Sequence, residues 1–222
     1  YGGIGSDVAQ SIECNGANNV YVTGFTSSTN FPLQVLAGAY NQGANAGVDD
    51  AFILRFDNSG ACLWATYYGG SSKDQGFSIA CDGVDNVYIT GYTSSTNIPI
   101  QTLAGAYNQV ANGGLENAIL LRFNNTGALI WATYYGGNSR DYGYAIACDG
   151  ANNVYVTGSV GSTNFPIQNM AGSYNQATNA GGTDAFILRF NNIGARIWAT
   201  YYGGNDMDQG NSIACDGANN VY

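Results

Sequence analysis

Four aspartates, Asp7, Asp74, Asp141 and Asp208, each follow a Gly-Gly pair at the same distance. A carboxylate so placed can cap backbone N–H groups or ligate a hard cation. The turn Asp149 to Asn153, Asp-Gly-Ala-Asn-Asn, offers the same choice between a plain turn and a Ca²⁺ loop. It lacks the carboxylate density of an EF-hand, and its first copy carries Asn15 in place of the Asp. No metal ion and no cofactor is expected on these grounds.

Two aromatic sets could meet a ligand. Trp64, Trp131 and Trp198 each precede Ala-Thr-Tyr-Tyr in a strand-like run, where an aromatic serves sheet packing or a sugar platform. The connection triplets Tyr40-Asn41-Gln42, Tyr107-Asn108-Gln109 and Tyr174-Asn175-Gln176 are the candidate binding residues. Loops carry function, and Tyr with amides suits hydrogen bonding to polyols; a packed Ω-like loop is the other reading.

Catalytic constellations are poorly supplied. The chain contains no His, which removes the commonest general base and the usual Ser-His-Asp and Cys-His arrangements. Glu occurs only at Glu13 and Glu116, so a paired-carboxylate site would have to be built from Asp. Nearly every polar residue is copied along the chain, whereas an active site needs a unique grouping. A non-enzyme with no catalytic residues is expected.

The elements that position these residues follow from one period. Tyr-Gly-Gly begins at Tyr1, Tyr68, Tyr135 and Tyr202, a spacing of 67, and Arg55, Arg122 and Arg189 keep it. Residues 68–134 and 135–201 share 42 of 67 positions without a gap, which marks one repeated supersecondary unit. The units are 1–67, 68–134 and 135–201, with a partial fourth over 202–222. In the second unit, Phe77 to Asp82, Asn86 to Tyr92, Asn117 to Phe123 and Ala128 to Tyr135 read as strands. They are short, rich in Val, Ile, Tyr and Phe, and bounded by turn residues. A connection of about 24 residues, Thr93 to Glu116, joins the second and third strands, longer than compact blades need.

The expected fold is all-β, a tandem of 67-residue, four-stranded antiparallel blades of a β-propeller, with a β-solenoid or filament of the same repeats as the alternative. Cys14, Cys81, Cys148 and Cys215 recur at one position and are expected to be unpaired, mostly buried small hydrophobes; Cys62 stands apart. The net charge of -9 argues against nucleic acid, and no apolar run is long enough to span a bilayer as a helix.

Several linked segments resemble the SBBP family of bacterial β-propeller repeats. They are Ser78 to Gly83, Asn86 to Asn97, Ile98-Pro99, Ala104 to Tyr107, Asp184 to Phe186 and Ala199 to Gly204. The resemblance runs through all three repeats and the partial fourth. It departs in its Cys, where the family often has Val, and in Phe-Ile-Leu-Arg-Phe, where a Lys-containing strand is common. It implies a secreted or surface protein of bacteria. A noncatalytic extracellular module, structural or adhesive, is therefore expected, with other blades, copies of the same chain or glycans as partners. A carbohydrate-binding propeller, or the noncatalytic part of a secreted hydrolase, is the alternative.

Overall fold

The computed structural model describes residues 1–222 and contains no helix. Twelve strands form three separate four-stranded antiparallel sheets, each from consecutive strands. The first holds β1 (Asp7–Cys14), β2 (Val20–Thr26), β3 (Asp50–Phe56) and β4 (Cys62–Tyr68). The second holds β5 (Asp74–Cys81), β6 (Val87–Thr93), β7 (Asn117–Phe123) and β8 (Leu129–Tyr135). The third holds β9 (Asp141–Cys148), β10 (Val154–Val160), β11 (Asp184–Phe190) and β12 (Arg196–Tyr202). Each ladder closes within its own repeat, and neighbouring sheets meet face to face most closely at β1, β5 and β9. That is the arrangement of propeller blades rather than of a continuous solenoid ladder.

The hairpins form where the backbone can turn. Asn18, Asp85, Asn152 and Asn219 adopt φ of 58 to 65°, which Asn and Asp tolerate better than most residues. The first strand of each blade begins earlier than its apolar residues indicate: β5 starts at Asp74, not Phe77. Asp74 and Gln75 pair with Thr93 and Tyr92, and a bulge between Gly76 and Ser78 re-aims the strand. The polar Asp-Gln-Gly run resembles a turn, yet its backbone completes the ladder.

The long connection is a flap folded back along the outermost strand. Gln34 and Gln42 bridge to Ala65 and Tyr67 of β4, and Gln101 bridges to Ala132 of β8. The core lies between sheets: one cluster joins Tyr21, Ile53, Trp64 and Tyr68 of the first blade to Ile79, Ile89, Leu121 and Phe123 of the second. Burial from both sides explains why β7 is apolar along nearly its whole length.

The repeated cysteines are all free, but the expected burial needs correction. Cys14 is exposed, and Cys81, Cys148 and Cys215 are half-buried. Each sits at the mouth of a hairpin, paired with the first residue after the turn as in Cys81 with Val87, where solvent reaches the sheet edge.

Candidate functional site at the blade joints

The flap triplets lie where one blade meets the next. The Tyr40 N–H donates to the Gly127 carbonyl of the second blade at 2.9 Å, and Tyr107 repeats this to Gly194 of the third at 2.8 Å. Trp64 Nε1 donates to the Tyr40 carbonyl at 2.8 Å, Trp131 to Tyr107 at 2.9 Å and Trp198 to Tyr174 at 2.9 Å. The Tyr40 ring packs against Tyr68 and against Phe123 of the second blade, with centroids 5.5 and 6.2 Å away. Burial pushes the Tyr40 hydroxyl well above the usual phenol range and the Tyr107 hydroxyl upward too, where Arg196 opposes it.

The amides of the triplets are occupied within the chain. Asn41 Nδ2 donates to the carbonyls of Leu36 and Ala39, at 3.1 and 2.9 Å. Gln42 Oε1 accepts from Tyr40 Oη and the Gly69 N–H, each at 3.0 Å. Asn108, Gln109, Asn175 and Gln176 repeat the pattern. The structure therefore brings each triplet together as a hydrogen-bonded corner. Only the third corner is open, with Tyr174 54% exposed.

The Asp after Gly-Gly is a backbone cap. Asp74 Oδ2 accepts from the Gly70 N–H at 2.7 Å and Ser95 Oγ at 2.8 Å, and its Oδ1 accepts from Thr93 Oγ1. Asp141 is held likewise by Gly137 and Ser162, Asp7 by Gly3, Thr26 and Ser28, and Asp208 by Gly204. Burial pushes the Asp74 and Asp141 carboxyls up against the pull of these donors; at the less enclosed Asp7 the donors prevail and the carboxyl lies low.

The hairpin Asp is equally committed. Asp82 Oδ1 accepts from the N–H groups of Val84 and Asn86, and its Oδ2 from Asn86 Nδ2 at 2.8 Å and Tyr88 Oη at 3.2 Å. Asp149 and Asp216 hold Tyr155 and Tyr222 in the same way. At Asp149 burial acts upward, but the Asn153, Ala151 and Tyr155 donors outweigh it and lower the carboxyl. The first blade differs: Asn15 replaces the acid, and the hydroxyl of Tyr21, 1% exposed, has no partner. The Asn15 substitution was visible in the sequence, but its link to a tyrosine six residues on was not.

Each joint also carries an arginine. Arg55 and Arg122 lie over the rings of Tyr21 and Tyr88, 5.7 Å from each centroid, and donate from Nη1 to the carbonyls of Asn125 and Asn192 in the following blade, at 2.8 and 2.7 Å. The site chemistry is thus one of hydrogen-bond donors and acceptors held between sheets.

Residues 63–99 and 130–166 match the model of the SBBP family, described as a beta-propeller repeat. Each match runs from the outermost strand of one blade through the first two strands of the next. The chain is also similar to an uncharacterized WD repeat-containing protein of Acanthamoeba polyphaga mimivirus, at 23% identity over 238 residues, covering 98% of this chain and 17% of that protein. This chain therefore spans less than a fifth of the relative's length.

Proposed function

We propose that this chain is a noncatalytic module of an extracellular bacterial surface assembly, structural or adhesive, that works by offering the same surface repeatedly. One observation supports this reading above the rest. The flap corner that seats against the next blade at Tyr40 and Tyr107 is built again at Tyr174, with the same tryptophan, asparagine and glutamine hydrogen bonds. A surface already used twice to join copies of one unit is suited to hold a further blade, another copy of the chain or a glycan. The absence of His and the commitment of the recurrent Asp side chains to backbone capping favour contact over turnover.

Tyr174 is the residue on which to test it, because Tyr40 and Tyr107 also support the fold. Light scattering and pull-down on insoluble polysaccharides, comparing the chain with Tyr174→Ala, should show self-association or polysaccharide retention that the variant weakens. Turnover of a glycan by the chain alone, or behaviour of the variant identical to the parent in both assays, would overturn the reading.

A further inference from the structure

The joints are not all alike. Between the first and second blades lies an open cleft of about 410 Å³, within the roughly 300–1,000 Å³ range of small-molecule sites. Its polar lining comes from Asn15 and Asn19 on the first hairpin, Arg55 on β3, and Asp85, Asn125 and Thr126 on the second blade. Leu36 and Ala37 of the first flap add an apolar wall.

The equivalent joint between the second and third blades has a different lining. One period on, Val84 replaces Ala17 and Ile193 replaces Thr126. The turn there is also bridged, Gly83 donating to Asn152 Oδ1 at 2.9 Å, where the first joint carries Asp85. The first cleft is therefore a departure from the repeat, made by the residues at Asn15, Ala17, Asp85 and Thr126.

Two features suit this cleft to a ligand rich in hydroxyls. Asn15 and Asn19 are 7% and 9% exposed, and Asn15 Oδ1 is committed to Asn19. The change to Asn15 also leaves the Tyr21 hydroxyl buried and unpartnered, whereas its counterparts at Tyr88 and Tyr155 bond to the hairpin Asp. The lining mixes donors, from the Arg55 guanidinium and Asn amides, with acceptors from Asp85, Asn125 and Thr126. A neutral sugar, whose hydroxyls both donate and accept and whose C–H face can lie on Leu36, matches that mixture. A phosphate or polyanion would meet Asp85 and a chain of net charge -9.

We propose that the cleft between the first and second blades is a binding site for one neutral hexose or the hexose end of a glycan. It is a single site per chain, distinct from the repeated flap corners.

The experiment is titration of the 222-residue chain with D-glucose, D-galactose, D-mannose and their disaccharides, followed by calorimetry and saturation-transfer NMR. At least one sugar should bind with one-to-one stoichiometry. Ala17→Val with Thr126→Ile, which installs the residues of the second joint, should weaken binding by about tenfold or more, the effect of losing one well-made set of contacts. Asp85→Asn, which keeps the size of a half-exposed side chain, should weaken it less, and both variants should leave binding at the flap corners unchanged. Failure of every sugar to saturate, more than one site per chain, or full affinity in both variants would overturn the assignment. One-to-one binding that survives Ala17→Val with Thr126→Ile and is lost on Tyr174→Ala would instead support the flap corner as the binding surface.

Discussion

Asp50 and Asp74, both fully buried, approach the same Gly69 backbone from adjoining blades: a Cβ on Gly69 would lie 2.6 Å from Asp50 Oδ1 and 2.8 Å from Asp74 Oδ2. Asp74 is saturated with donors, whereas Asp50 Oδ1 has none. Two like charges in one enclosed space cannot both ionise freely. Burial first, and then the Asp74 charge, push the Asp50 carboxyl up to about 6, against the Ala46 and Gln42 donors.

A folded-state value above the ordinary carboxylate one means that protonation favours the fold. That contribution is fully present below about pH 4 and is lost as pH rises through about 6. The second blade already holds the neutral Asn117 at this position. Asp50→Asn should therefore raise the unfolding free energy read from urea denaturation at pH 7.5, by up to about 3 kcal/mol, and confer little at pH 4. Equal effects at both pH values would show that Asp50 does not ionise in the folded joint.

The three tryptophans share a sequence position but not a burial. Trp131 is 1% exposed and packs edge-on to Phe190 at 5.6 Å, while Trp198 is only half-buried. Trp131→Ala is expected to cost about 3–5 kcal/mol, as for other fully buried aromatics, and Trp198→Ala about half as much. Chemical denaturation followed by tyrosine fluorescence would order them.

Two glycines separate backbone strain from joint contact. Gly60 and Gly127 have φ of 84 and 81°, so Ala at either is strained by about 1–2 kcal/mol. Only Gly127 has a neighbour to strike: an added Cβ would lie 2.8 Å from Ala39 Cβ of the first blade and 3.4 Å from the Trp64 ring. Gly127→Ala should be the more destabilising of the two, and differential scanning calorimetry should resolve the difference. Equal shifts would mean that the first joint yields without cost.

The repeated thiols should react in the order of their enclosure. Cys14 is exposed, whereas burial pushes the half-buried Cys81 thiol up to about 12 and nearby carboxylates push the same way. Because the thiolate is the reactive form, alkylation at pH 8 read by peptide mass spectrometry should modify Cys14 well before Cys81 and Cys148. Simultaneous labelling of the three would point to a loosened first joint.

Residue type and spacing alone determined the period, the all-β class and the four strands of each blade. Alternation, turn chemistry and the repeated Tyr-Gly-Gly are local and survive copying. Asn117 to Phe123 is a strand with the bounds its composition indicates. The capping role of Asp74 was one of two readings in the sequence, and the Gly70, Thr93 and Ser95 donors make it a cap in the fold. Tertiary structure decided what depends on which blade lies alongside. Tyr40 packs against Phe123 of the second blade, a contact that nothing adjacent to it in sequence indicates. The Tyr21 hydroxyl lacks a partner where Asn15 stands in place of the hairpin acid, and the cleft at that joint is lined by Ala17 and Thr126 where the next joint has Val84 and Ile193. Burial and pairing are properties of surfaces brought together across 67 residues and more, and the periodicity of one strand carries no record of the face set against it.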